Sequence, residues 1–94
     1  MTIIKDPRFN DELKVILRFI ALDSKERAKH FKNELIARVN NLGYMPYKYR
    51  KSIYFSDNNI RDYIFKGYAI PYYIDTQKDT LTILGIVKYK DTIR

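Results

Sequence analysis

Three β-prone runs close together, separated by one glycine turn and one polar turn, leave a short chain few folds to choose from. That pattern fills Ile60 to Lys88. Ile60–Phe65 is dominated by β-branched and aromatic residues, and Lys66-Gly67 turns the chain into Tyr68–Ile74. The polar stretch Asp75–Asp79 then leads into Thr80–Lys88. An antiparallel meander is the simplest arrangement. In a regular first strand, Arg61, Tyr63 and Phe65 share one face, and Ile60, Asp62 and Ile64 the other. Pro71 removes one ladder donor from the middle strand, so a bulge or an unpaired position is expected there. The last run puts Leu81, Ile83 and Val87 on one face and Thr82, Leu84 and Ile86 on the other. Its near-continuous apolarity predicts a central strand with cover on both faces.

The preceding half supplies that cover. Thr2-Ile3-Ile4 is a short β-prone opening, suited to an edge strand. Asp6-Pro7 predicts a helix start, with Asp as N-cap and Pro at the first helical position. Phe9, Leu13, Ile16, Leu17 and Ile20 then fall in one stripe at about 100° per residue. Val15 and Phe19 widen the apolar surface, which marks this helix for cover on more than one side or for a partner. Asp23-Ser24-Lys25-Glu26 resembles a capping box. The second helix carries Ala28, Phe31, Leu35, Val39 and Leu42 in a single stripe, with Gly43 expected as the residue that closes it. Two helices joined by so short a loop run antiparallel. His30 lies beside the stripe, where a surface position is expected.

Tyr44–Lys51 interleaves aromatic and basic residues, a pattern that suits nucleic-acid contact or, equally, tyrosines lidding the core beneath solvated cations. Ser52-Ile53-Tyr54-Phe55 predicts a short strand, ended by the turn-rich Ser56–Asn59. The sum is one α+β domain over residues 1–94: a short N-terminal strand and an antiparallel helical hairpin packed on a twisted antiparallel sheet of three to four strands.

Composition narrows the chemistry. The chain has no cysteine and one histidine, so disulfides, thiolate metal sites, a His-based zinc centre and a Ser/His/Asp triad lack their residues. No cofactor or metal is expected. No apolar run approaches the roughly 18 residues needed to span a bilayer. Asp6-Pro7 interrupts the N-terminus too early for a signal peptide, so a soluble cytoplasmic protein is expected. Eighteen basic against eleven acidic residues give a net charge of +7. Such a surface favours a polyanionic or acidic partner.

The ordered set Phe9…Leu13…Ile16…Phe19-Ile20-Ala21…Asp23-Ser24, Ala28…Phe31…Leu35, Pro46, Ile60-Arg61, Gly67-Tyr68-Ala69-Ile70-Pro71-Tyr72-Tyr73-Ile74 and Thr82-Ile83-Leu84-Gly85-Ile86 resembles the RelE/ParE superfamily of toxins from bacterial type II toxin–antitoxin modules. The resemblance covers essentially the whole chain. Its RelE-like members are ribosome-dependent RNases with a set of cations for the scissile phosphate. Here Arg61 could fill one early position, but Tyr63 occupies the second, and Ala69 stands where an arginine is expected after the turn. Lys88-Tyr89 resembles the C-terminal basic–tyrosine pair. The aliphatic residue after the turn, followed by Ile70-Pro71-Tyr72-Tyr73, looks more like ParE, whose members have no known hydrolytic site and block DNA gyrase.

The resemblance therefore implies a ParE-like toxin that inhibits growth through gyrase. One alternative is a metal-independent mRNA endonuclease acting on the ribosome through Arg61, Lys88 and Tyr89. Another is a toxin-like binding domain without activity. It implies target contacts at Lys48, Arg50, Lys51, Arg61, Lys66, Lys88, Tyr89 and Lys90. It also implies a cognate antitoxin with an acidic or amphipathic C-terminal segment, forming a hetero-oligomer through Val15, Phe19, Tyr44, Tyr47 and Tyr49.

Overall fold

Asp6 has an extended backbone and its carboxylate accepts the Arg8 N–H at 2.9 Å, so the chain turns there from strand to helix. This separates β1 (Thr2–Lys5) from α1 (Pro7–Asp23). Ser24 is the cap that joins the helices. Its backbone N–H closes α1 on Ile20 O, and its hydroxyl accepts the Arg27 N–H at 3.1 Å to open α2 (Lys25–Asn40). Two short 3₁₀ turns, Leu42–Tyr44 and Pro46–Lys48, lead into a long loop. The sheet follows: β2 (Ile60–Phe65), β3 (Tyr68–Asp75), β4 (Thr80–Ile83) and β5 (Val87–Lys88). These elements come from a computed structural model that describes residues 1–89.

The architecture is the expected α+β layer pair, with one addition. β1 lies parallel to β4 in the order β1-β4-β3-β2, while β5 also pairs with β3, making a mixed sheet of five strands. Phe9 and Leu13 of α1 and Phe31, Leu35 and Val39 of α2 meet Tyr63, Phe65, Ile70, Tyr72, Ile74, Leu81 and Ile83 in one buried cluster. The ring of Phe31 stands edge-on to both Phe65 and Tyr68, at 5.4 and 5.8 Å between centroids. Lys66 and Gly67 have φ of 47° and 84°, the double left-handed turn that a two-residue hairpin requires. His30 lies on the surface of α2, as expected.

Three local expectations give way. Gly43 does not close α2, which ends at Asn40 with Asn41 as cap. It sits inside the first 3₁₀ turn, where a Cβ would lie 3.2 Å from the Met1 Cβ, so its smallness serves a close approach instead. Ser52–Phe55 is not a strand. Only Lys51 bridges Arg61 and the Ser52 N–H reaches Ile60 O. Beyond that, side-chain acceptors capture the next amides: Ile53 N–H goes to the Asp62 carboxylate and Tyr54 N–H to the Ser52 hydroxyl.

The third concerns Thr80–Lys88, which is not one strand. Tyr72 faces Ile83 and Ala69 faces Val87, so the three residues 84–86 stand opposite the two residues 70–71. This is a one-residue bulge. The Pro71 carbonyl accepts the Leu84 N–H at 2.9 Å, so the donor that Pro71 lacks is missing on this same flank. The extra residue inverts the alternation. Ile86, not Val87, joins Leu81 and Ile83 in the core. The Ile86 N–H, turned out of the ladder, is received by Glu12 Oε1 of α1 at 2.9 Å. Gly85 allows that approach, since a Cβ there would lie 2.7 Å from the same oxygen.

Gly85→Ala should therefore cost about 1 to 2 kcal/mol by displacing Glu12 from Ile86. On a Glu12→Ala background the same change should cost almost nothing, as urea midpoints of the four proteins would report. Equal costs on both backgrounds would mean that the carboxylate does not hold the bulge.

Candidate functional site

The loop between the hairpin and the sheet is fastened from beneath by two side chains of the sheet. The Tyr72 hydroxyl donates to Pro46 O at 2.6 Å from a wholly buried position. Burial pushes its phenol pKa well above the usual tyrosine range, with Tyr49 and Asp62 adding to the rise and Arg61 opposing it. Arg61 donates to Tyr49 O at 3.0 Å and stacks over the Tyr47 ring at 5.0 Å, while its Nε is buried without a partner. Tyr47 reaches Asn59 Oδ1 at 3.0 Å. Arg61 is thus committed to holding the turn.

Asp62 is the sheet's one buried charge, only 1% exposed. Its Oδ2 receives Arg50 Nη2 at 3.2 Å and the Ile53 N–H at 3.0 Å, and its Oδ1 has no partner. The guanidinium of Arg50 extends on to Tyr89, stacking at 5.0 Å from the ring centroid. The other cations named from the sequence are spread out. Lys48 lies over Tyr49, Lys66 pairs with Glu34 at 3.0 Å, and Lys88 lies 4.9 Å from the Tyr68 ring centroid. The bond from Lys66 holds the Glu34 carboxyl below its ordinary pKa. Lys51 is exposed and has no ion pair among the described residues. Lys90 lies outside the described residues.

The cations and tyrosine named for phosphate chemistry are not brought together. Arg61 pairs with Tyr72 and Lys88 with Tyr68, on opposite flanks of β3 and four residues apart, roughly 13 Å along the strand. Lys88 and Tyr89 diverge as well. Lys88 lines a groove with Val15 and Phe19 of α1, whereas Tyr89 packs on Arg50 across the other face of the sheet.

The residues named for a partner divide in two. Val15 and Phe19, 62% and 71% exposed, form one wall of a groove of about 520 Å³ whose other wall is Tyr68, Ile86 and Lys88. Tyr44 and Tyr49 line a smaller groove of about 250 Å³ with Arg38, Lys48 and Tyr63. Tyr47 belongs to neither, being held under Arg61.

A third cleft, of about 540 Å³, escapes the sequence reading. It opens beside the bulge, between Tyr54 and Phe55 on one side and Leu84 and Val87 on the other, with Arg8 and Glu12 at its edge. Its signal was the apolar run Ile53-Tyr54-Phe55, which reads as a strand until Asp62 is seen to claim its amide. Glu12 was also missed. Nothing local marks a mid-helix carboxylate as the acceptor for an amide 74 residues away.

The sequence matches the family model described as the ParE toxin of type II toxin–antitoxin systems, parDE, over residues 3–92. The chain belongs to the ParE toxin family. Its fold is also that of a protein from a chromosomal ParDE toxin–antitoxin system of P. aeruginosa. The two superpose with a TM-score of 0.78 over 96% of this chain and 97% of the other, at 16% identity. Comparison with curated proteins finds no match. Among the described residues of this ParE-family toxin, no group of three or more His, Cys, Asp or Glu side chains could hold a metal ion, and no helix is long and apolar enough to cross a membrane.

The Tyr72 anchor sets an alkaline limit. The unfolded phenol ionises near pH 10, the buried one only at higher pH, so its contribution is complete below pH 10 and is lost as pH rises beyond it. Tyr72→Phe should lose about 1 kcal/mol at pH 7 with the bond to Pro46. It should also show a shallower loss of stability above pH 10, measured by urea unfolding across that range. An unchanged alkaline slope would contradict this role for Tyr72.

Proposed function

We propose that this ParE-family chain arrests growth by binding DNA gyrase, with no chemical step of its own, and is neutralised by a cognate antitoxin. The observation that carries the binding reading is the dispersal of the candidate catalytic groups. RNA cleavage needs a base, an acid and charge stabilisation converging on one phosphate. Arg61 is tied to a backbone carbonyl and a ring, and Lys88 and Tyr89 face apart. A protein built to bind needs no such convergence. The exposed cations, of which Lys51 has no ion pair among the described residues, then attract an acidic target surface, at work in the cytoplasm where gyrase acts.

The antitoxin's C-terminal segment fits the α1 groove. Val15, Phe19 and Leu22 recur at helical spacing and stay exposed, while Ile16 and Ile86 form the floor and Lys88 the rim. An amphipathic segment with apolar residues toward α1 and carboxylates toward Lys88 matches both features. The +7 charge adds long-range attraction that salt screens. Tyr44 and Tyr49 line a separate groove and Tyr47 is held under Arg61, so one short segment does not engage all five residues named for it.

The test is a supercoiling assay with purified gyrase, run beside an mRNA cleavage assay on translating ribosomes. Lost supercoiling with intact mRNA is expected. Cleaved mRNA with normal supercoiling would sink the proposal and favour the RNase reading. For the partner, Phe19→Ser should weaken antitoxin binding about tenfold or more with no loss of thermal stability. Unchanged affinity would remove the α1 groove from the interface.

A further inference from the structure

Ile53, Tyr54 and Phe55 are three consecutive large apolar side chains, all exposed, and Ile53 is the most so at 63%. Such a run costs solubility unless something covers it. Here the loop that carries it is not slack. Ser52 N–H reaches Ile60 O at 2.8 Å, Ile53 N–H the buried Asp62 carboxylate, Tyr54 N–H the Ser52 hydroxyl, and Asp62 N–H reaches Arg50 O at 3.1 Å. A mere connection to β2 would not need a desolvated carboxylate beneath it. A fixed loop loses little freedom when a partner docks.

The charges around this loop are sorted. Four carboxylates border it, and each receives a backbone amide on one oxygen: Asp6 from Arg8, Glu12 from Ile86, Asp57 from Asn59 and Asp62 from Ile53; Glu12 also pairs with Arg8 and Asp62 with Arg50. Lys51 has no ion pair among the described residues, and the Arg8 side chain is 74% exposed while its Nε pairs with Glu12 Oε2 at 3.3 Å. Lys51 therefore puts unpaired positive charge beside the apolar patch, and Arg8 adds an exposed guanidinium at the edge of the cleft. A second copy of a +7 chain would bring like charge to the same place, which disfavours self-association through this face.

We infer that this is where the toxin's protein target docks. An apolar side chain of the target seats in the cleft between Phe55 and Leu84, and target carboxylates around it meet Lys51 and Arg8. The inference rests on the toxin reading above and adds the docking surface to it. It also gives neutralisation a physical form. Glu12 lines both this cleft and the α1 groove, so the two sites are neighbours across the bulge. A segment lying in the α1 groove obstructs the target without occupying its pocket.

Phe55→Ser, Lys51→Glu and, as a control on the exposed surface of α2, His30→Ala, each confirmed folded by its thermal melt, are compared with the unaltered chain for growth arrest on induced expression. Phe55→Ser and Lys51→Glu should each need about tenfold more expression, or greater, for half-maximal arrest. His30→Ala should arrest growth like the unaltered chain. Full potency in either Phe55→Ser or Lys51→Glu overturns the inference, as does an equal loss of potency in His30→Ala. An unaltered chain that arrests nothing is a different result: it overturns the toxin reading and this inference with it.

Discussion

A proline in the middle of β3 is the constraint on which the geometry of the sheet's far end depends. Pro71 cannot donate to the strand beside it, and the partner strand answers with one residue too many. That residue inverts everything after it. Ile86 enters the core, Lys88 turns to α1, and Tyr89 turns to Arg50 on the other face. The released Ile86 amide needs an acceptor, and Glu12 supplies it from α1. The bulge is thereby fixed to the helix, and a cleft opens on each side of it.

The same economy governs the loop from Tyr44 to Asn59. It has almost no regular structure, yet its backbone is held by side chains rising from the sheet: Tyr72 and Arg61 under the 3₁₀ turn, Asp62 under Ile53. These are costly groups to bury. What they gain is a fixed display of aromatic and basic residues on the surface. The chain's positive charge follows the same division. Several acidic groups point inward to amides, and several basic ones outward to rings or solvent.

Much of the fold was legible in the sequence because it rests on local signals. The stripe from Phe9 to Ile20, the cap at Asp6, the helix break at Asp23-Ser24 and the Lys66-Gly67 turn each name their structure through neighbours in the chain. Pro71 announced a bulge or an unpaired position, and the extra residue stands on the facing strand. What could not be read depends on distant residues. Ser52–Phe55 has strand composition, and only Asp62, across a turn, takes it out of the ladder. Gly43 looks like a helix stop until Met1 is found against it. The inverted alternation at Ile86 follows from Pro71, but its consequence for Lys88 and Tyr89 emerges only when the register is counted. The surplus apolar residues Val15 and Phe19 stay exposed, and no other part of the described chain covers them.

Amide hydrogen exchange of the protein, free and saturated with gyrase, tests the central claim most directly, because it reads the docking face without substitution. Slowed exchange across residues 51–56 and at Val87, with α2 and the part of α1 beyond its first two turns unchanged, is the expected result. Protection confined to the helical hairpin, or no protection anywhere, would contradict it.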